Sequence, residues 1–530
     1  MPWDYVIVGS GFGGSVSALR LVEKGYRVLV LEKGRRFRAE DFAKTNWNLR
    51  RWLWLPRAGL RGIFKMTFMR HVTALTGVGV GGGSLVYANT LPIPKDEFYA
   101  APSWAHLADW KTELAPHYQT GRRMLGVTRN PELTYPDEVI REVGKEIGRA
   151  DFEPTQVAVY FGESGVTVKD PYFGGEGPDR TGCIRCGGCM VGCRYGAKNT
   201  LDLNYLWLAE KRGLAIEADT EVTWVRPAEG GGYEVEALQG ARIFGRTRKT
   251  VRARQVIFAG GVIGTVDLLL KLKASPDGLP KLSDRLGDHV RTNSEVLVGV
   301  VSGDRQRDLS KGIAIGSILH TDPHSHIEPV RYSSGSGFLR LLAMPFAPGE
   351  TLWARLLRSL ATALRNPIKL LRTLFVLDWA RHTMILLYMR TTEGTLRLRK
   401  GRSLLNGFTD GLTSAAGSGP PAKASIPEAT DLVHRVSRKL QGFPMSMVAE
   451  TFIGSPTTAH ILGGCCMGDS AENGVVDHRH RVFGYEGLYV IDGSAISANP
   501  GVNPALTITS LAERAMTFIP EKGGEARASS

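Results

Sequence analysis

Acidic side chains are missing from two long stretches of this 530-residue chain. Between Asp41 and Asp96 nothing offsets Lys44, Arg50, Arg51, Arg57, Arg61, Lys65 and Arg70, which interleave with Trp47, Trp52, Trp54, Phe64 and Phe68. From Leu352 to Leu377, Arg355, Arg358, Arg365, Lys369 and Arg372 stand among Trp353, Leu356, Leu357, Leu360, Leu364, Leu370, Leu371 and Phe375. Both stretches read as basic amphipathic segments. They suit either the headgroup boundary of an anionic membrane or a solvated helix face backed by the core. The formal net charge is +14, but charge alone selects no partner. No recognised nucleic-acid-binding module accompanies it, so no nucleic-acid partner is expected.

Other absences narrow the class. No uninterrupted apolar run is long enough to cross a bilayer, and no basic stretch leads into an apolar one before the first strand-like segment. The expected location is therefore the cytoplasm, with a peripheral contact on the inner face of the membrane as the further option. Cysteine is scarce, six residues in all, which does not suit a disulfide-built scaffold. No internal repeat is found. The length calls for two or more domains, and only the tail 521–530 reads as disordered.

What is present begins with Asp4-Tyr5-Val6-Ile7-Val8-Gly9-Ser10-Gly11-Phe12-Gly13-Gly14 and continues through a helix-like run to Val28-Leu29-Val30-Leu31-Glu32-Lys33. Strand, glycine turn, helix, strand and acid follow in the order of a dinucleotide site. Gly9 permits the tight turn, Gly11 lets backbone approach a pyrophosphate, Gly14 lets helix pack on strand, and Glu32 stands where a ribose hydroxyl would donate to it. The phosphates would rest on the helix N-terminus. Gly77 to Gly83 contains five glycines before Ser84, a second place for close backbone approach. Further α/β signals are strand-like Thr220 to Val225 and Val251 to Ala259, the turn at Gly260, strand-like Leu488 to Val490, and a helix from Pro504 to Ile519. Thr383 to Met389 also reads as a strand, and Leu412 to Pro427 as a Gly, Ser and Pro-rich loop.

His460-Ile461-Leu462-Gly463-Gly464, Asp492-Gly493-Ser494 and Gly501-Val502-Asn503-Pro504 complete the pattern. With the two glycine-rich turns they resemble the glucose-methanol-choline (GMC) family of flavin oxidoreductases, in particular its cholesterol-oxidase-like branch, nearly end to end. The resemblance implies an α/β fold with a Rossmann-like FAD-binding domain assembled from residues 1–94, 202–301 and 452–520. An inserted α+β substrate domain, built on a mainly antiparallel sheet, would take 95–201 and 302–451. It implies FAD as cofactor, with Gly9, Gly11, Phe12, Gly13, Gly14, Glu32 and Lys33 on the ADP half and Val222 near the adenine. Gly79, Gly82, Gly83, Ser84 and Gly260 would lie by pyrophosphate and flavin, and Asp492, Gly493, Asn503 and Pro504 at the ribityl and flavin end.

His460 and Asn503 would face the flavin. His460 would act as base toward an alcohol, and Asn503 would orient the hydroxyl or stabilise reduced flavin without changing its own charge; the bland alternative for Asn503 is a turn residue before Pro504. Glu328, in His326-Ile327-Glu328-Pro329-Val330, is matched by position to the carboxylate that moves a proton during double-bond isomerisation, with a solvated edge acid as the alternative. Tyr87 departs from the pattern, since secreted sterol oxidases carry Asn there. The implied substrate is a sterol or other apolar alcohol, most directly the 3β-hydroxyl of a steroid.

A second departure is Cys183-x2-Cys186-x2-Cys189-x3-Cys193, the spacing of ferredoxin ligands for an iron–sulfur cluster. Zinc and free thiols are the competing readings. A cluster, with Cys193 or the pair Cys465 and Cys466 supplying the fourth ligand, would make the chain a dehydrogenase that passes electrons to a protein or quinone. A membrane-surface binding protein with structural FAD is the reading from outside enzymology.

Overall fold

The computed structural model describes residues 2–241, 245–417 and 425–524. The expected disordered tail lies outside these residues from 525 onward, as do positions 418–424 of the expected loop. Residues 521–524 are described, and there Lys522 pairs with Asp4 at 2.6 Å.

The cofactor-side sheet has a parallel core ordered Ala215–Glu217, Val28–Leu31, Trp3–Val8, Thr247–Phe258 and Leu488–Val490. Val28 to Leu31 is buried at every position, as expected of strands covered on both faces. Helix Phe12–Glu23 covers one side through Val16, Ala18 and Leu19. Thr247–Phe258 is long enough to serve two purposes: its end joins the parallel core, while its beginning pairs antiparallel with Tyr233–Gln239, which in turn pairs with Thr220–Pro227.

A second seven-stranded sheet is antiparallel at every pairing. Its order is Ala343–Pro345, Phe443–Met447, Val296–Val301, Thr383–Arg390, Ser325–Val330, Ser317–Asp322 and Phe152–Pro154. Alternation decides its two faces. Val296, Val298, Val300, Met384 and Leu386 share an apolar cluster with Val139, Val143, Leu432 and Val436 of helices Tyr135–Glu146 and Pro427–Lys439. Leu297, Gly299, Ile385 and Leu387 instead face a cavity. Arg331 ties one of those helices to this half of the molecule, its Nη2 donating to buried Asp137 at 3.0 Å. The architecture is thus an α/β Rossmann-like unit with an inserted, antiparallel-sheet unit.

Three boundaries differ from those expected. Val296–Val301 lies inside the antiparallel sheet and not in the cofactor unit, its alternate valines covered by the two helices. Helix Trp110–Met124 packs on Ala505–Thr517, burying Trp110, Leu114 and Tyr118 in the cofactor-side core. Strands Thr395–Gly401 and Gly411–Ala416 form a hairpin that pairs with Val290–Arg291 and inserts Leu396 and Leu398 into that same core, so the expected loop begins as a strand.

Candidate active site

One cavity of about 960 Å³ runs between the two sheets. At one end it meets the glycine turn after Trp3–Val8, where Gly9 has φ +102°, a left-handed conformation that only glycine adopts at little cost. A Cβ on Gly13 would lie 1.8 Å from the Ile491 carbonyl oxygen, and one on Gly14 would lie 2.2 Å from that of Gly9. Gly11 and Gly83 differ, since a Cβ on either would meet its nearest neighbour, Ala259 O or the Phe12 ring, only at van der Waals distance, 3.9 and 3.7 Å. Gly9, Gly11, Phe12, Gly13, Gly82 and Gly83 all border the cavity. Helix Phe12–Glu23 starts here with no side-chain cap and no acid in its first turn, which leaves its N–H groups and dipole for an anion.

Glu32 sits beside that turn, 5% exposed. Its Oε2 accepts from Ser10 N at 3.1 Å and Ser10 Oγ at 2.8 Å, and Oε1 accepts from Gly34 N at 2.8 Å. Lys33, Val222 and Gly260 border the same end. Asp492 is held by four donors: Gly261 N and Thr265 Oγ1 on Oδ2, Ser494 N and Ser494 Oγ on Oδ1. Burial raises the pKa of both carboxyls against the pull of their hydrogen bonds. Gly493 and Pro504 complete this wall. Gly14, Gly79 and Ser84 do not reach the cavity. Gly14 is taken up by helix packing, the Gly79 carbonyl accepts from Ser10 Oγ, and Ser84 Oγ pins the glycine loop by donating to Gly81 O at 2.7 Å and accepting from Leu201 N at 3.0 Å. These glycine cradles, the open helix N-terminus and the buried acids fit an FAD.

Midway along the cavity stand His460 and Asn503. His460 Nδ1 is 2.6 Å from Glu295 Oε2, and Glu295 is completely buried. An ionised carboxylate only accepts, so Nδ1–H is the donor and Nε2 is left with its lone pair toward the cavity. Asn503 Nδ2 lies 3.5 Å from that Nε2 and donates to Glu328 Oε2 at 3.3 Å. Glu328 Oε1 is in turn 3.5 Å from His326 Nε2. Asn503 Oδ1 is buried without a protein partner. For His460, burial lowers the pKa but the Glu295 charge and hydrogen bond, with the Glu328 charge, outweigh it, and the net shift is upward.

Two members of this chain of groups, Glu295 and His326, were not picked out from sequence. His326 had a usable signal, because positions 326 and 328 share one face of a strand. Glu295 had none, standing 165 residues from His460 without a motif. Glu328 is fully buried and not a solvated edge acid. It lies on the cavity side of the antiparallel sheet, under Asn503, and does not itself border the cavity.

Beyond His460 the walls turn apolar, with Phe64, Met66, Leu297, Tyr332, Trp379 and Met445. Tyr87 stands at the transition, its ring edge-on to Phe12 with centroids 5.6 Å apart and its hydroxyl donating to Asn199 O at 2.7 Å.

The cysteine run, expected as a cluster site, is drawn together in the fold, the charges of Cys186, Cys189 and Cys193 each acting on the Cys183 thiol. Among the described residues no three His, Cys, Asp or Glu side chains come together to hold a metal ion. Cys183, Cys189 and Cys193 share an apolar cluster with Val157, Val159, Ala197 and Ile313, and burial, with the neighbouring thiols adding to it, pushes the Cys183 thiol up to about 12 and that of Cys186 to about 11. Cys465 and Cys466 are elsewhere. Cys465 is in the cofactor-side core, and Cys466 Sγ lies against Arg291 and the His289 carbonyl. Among the described residues no helix is long and apolar enough to cross a membrane.

Residues 177–291 and 426–512 match the family described as GMC oxidoreductase, and residues 7–51 match the NAD(P)-binding Rossmann-like domain. The chain is 46% identical to a cholesterol oxidase of Acinetobacter baumannii, covering 98% of this chain and 95% of that one. It is 45% identical to a cholesterol oxidase of Mycobacterium tuberculosis, covering 98% and 92%. A 2-methyl-1,2-propanediol dehydrogenase of Mycolicibacterium austroafricanum is 25% identical over 97% and 95%. The crystal structure of pyridoxine 4-oxidase from Mesorbium loti superposes with a TM-score of 0.60 over 97% of this chain and 98% of that one; at 16% identity it speaks for the fold alone.

Proposed function

Because the chain belongs to the GMC oxidoreductase family, we propose that it is an FAD-dependent enzyme that oxidises the 3β-hydroxyl of a sterol to the ketone. The observation that carries this reading is the placement of His460 Nε2, backed by Glu295, where a cofactor-binding lobe passes into an apolar one. Removing two electrons from an alcohol needs a base at oxygen and an acceptor at carbon. FAD, when bound, supplies the acceptor.

The chain supplies the rest. His460 Nε2 takes the hydroxyl proton, the C–H bond yields its hydride, and the carbonyl forms from the remaining pair. Glu295 keeps Nδ1 protonated, so that Nε2 is the basic nitrogen, and then stabilises the imidazolium. Asn503 holds the hydroxyl oxygen, and Glu328 orients the Asn503 amide from behind. The apolar walls exclude water and take a ring system in place of a sugar. The two relatives at 45–46% identity are cholesterol oxidases by name, which supports a sterol over a small diol.

The test is the visible spectrum of anaerobically purified holoprotein before and after cholesterol. Bleaching of the flavin bands is expected, and their return on admitting oxygen would make oxygen the acceptor. Bands that cholesterol leaves unchanged, in protein that dithionite still bleaches, would overturn the sterol assignment.

A further inference from the structure

Helix Leu352–Arg365 is packed inside out. Its buried residues are Arg355 and Ser359. Arg355 Nε donates to Thr451 O at 2.8 Å and its Nη1 to Gly349 O and Glu350 O, while Ser359 Oγ donates to Pro345 O. The residues that sequence periodicity would put against a core, Trp353, Leu357, Leu360 and Leu364, are each more than half exposed. Helix Pro367–Leu374 extends the stripe with Ile368, Leu371 and the adjoining Phe375, also more than half exposed. A contiguous apolar face of this kind marks an interaction surface.

Three observations identify the occupant. Arg358, Arg365, Lys369 and Arg372 are exposed along the same two helices, and among the described residues none of them has an acidic partner. Beside Leu371 and Phe375 lies a groove of about 650 Å³ bordered by Arg305, Arg372, Arg381 and His382, whose one carboxylate, Asp378, already accepts from Gly335 N and Arg381 N. Leu370 and Val376 share an apolar cluster with Trp379 and Met445, which border the cavity. Apolar side chains including Trp, flanked by cations on two helices that carry no acid, match the headgroup region of an anionic bilayer, although Arg381 of the groove is already paired with Asp308. A two-fold contact with a second copy would instead set like charges against each other.

We propose that the helix pair 352–375 is the face by which the protein seats on an anionic phospholipid membrane, with the basic groove taking lipid headgroups and the apolar end of the cavity one layer behind. The proposal deepens the sterol reading and rests on it for its purpose, since the substrate would then leave the bilayer directly for the cavity.

The experiment sediments FAD-loaded protein with sterol-free vesicles of phosphatidylglycerol and phosphatidylcholine, or of phosphatidylcholine alone. Binding to the anionic vesicles only is expected. Trp353→Asp/Leu364→Asp should lower the partition at least about tenfold, and Arg365→Glu/Lys369→Glu should lower it comparably at low salt, with the flavin spectrum unchanged in both. The same variants should oxidise vesicle-borne cholesterol more slowly and detergent-dispersed cholesterol at the parent rate. Equal pelleting of variants and parent, equal binding to neutral vesicles, or self-association without lipid that these substitutions abolish would overturn the proposal. Failure of the sterol reading would show separately, as flavin that cholesterol cannot bleach in protein that still binds vesicles.

Discussion

Glu295→Gln isolates what the buried carboxylate does for His460. With its oxygen turned to Nδ1–H the amide can still accept across the 2.6 Å contact, so the charge is lost while ring orientation is kept, at the cost of the bond that Glu295 Oε1 accepts from Ala459 N. Hydrogen bonds to charged groups contribute about 1.5–3 kcal/mol and neutral ones about 0.5–1.5. The difference, about 1–1.5 kcal/mol, is realised as the imidazolium forms, and corresponds to a rate about 5- to 13-fold lower. The pH profile carries the sharper sign. Below its pKa His460 is protonated and cannot take the hydroxyl proton, so flavin reduction should rise with pH through an inflection above 6.5, the net shift being upward. In Glu295→Gln the raising charge is lost and the hydrogen bond becomes a weaker neutral one, while burial, which lowers the pKa, remains, so the inflection should move to lower pH. Stopped-flow flavin reduction by cholesterol under anaerobic conditions, from pH 5 to 9, measures both. An inflection that stays in place, or moves up, would refute the assignment of Glu295 as the partner that sets His460.

Further predictions follow from buried groups. Glu450 is pushed up to about 8, first by burial and with the Glu295 charge adding to it; its contribution to stability is full below 4.5 and is lost as pH rises through about 8, so Tm should fall across this window in the parent and fall less in Glu450→Gln. Gly13→Ala puts a methyl 1.8 Å from the Ile491 oxygen and should give protein without bound flavin, read as the ratio of 450 to 280 nm absorbance. Asp137→Ala leaves Arg331 buried without its ion-pair partner and should cost about 3–5 kcal/mol in urea unfolding. Anaerobically purified protein should carry no iron or acid-labile sulfide, and Cys186→Ser should retain the flavin spectrum; stoichiometric iron that this substitution removes would contradict the apolar packing of the cysteine run.

The cofactor-binding half was legible because its demands are local. A left-handed turn needs Gly9, a both-faces-buried strand needs an unbroken run such as Val28 to Leu31, and both can be read from a few neighbouring residues. His460 and Asn503 were legible through their motifs. Glu295 was not, since the contact that defines it joins positions 165 apart and exists only once the antiparallel sheet is formed. The helix at Leu352–Arg365 shows another limit. Periodicity reveals that such a helix has two unlike faces but not which one turns inward, and here carbonyls at Gly349, Glu350 and Thr451 draw Arg355 in. The cysteine spacing does bring Cys183, Cys189 and Cys193 into one cluster, but proximity is not ligand geometry, and among the described residues no three of these side chains are arranged to hold a metal ion.

Strand Thr247–Phe258 has Trp3–Val8 on one flank and Leu488–Val490 on the other, and Gly13 sits flush against the backbone of Ile491. In the order of synthesis the first side of the nucleotide crib emerges hundreds of residues ahead of the last. N-terminal units ordinarily fold as they leave the ribosome, yet here the opening strand, turn and helix must wait for nearly the whole chain before their cavity closes. A nascent chain stopped short of residue 488 would present an open strand edge and a half-built crib. The crib is therefore complete only when Leu488–Val490 has joined the sheet, and a ligand that binds the complete fold alone would stabilise it by mass action.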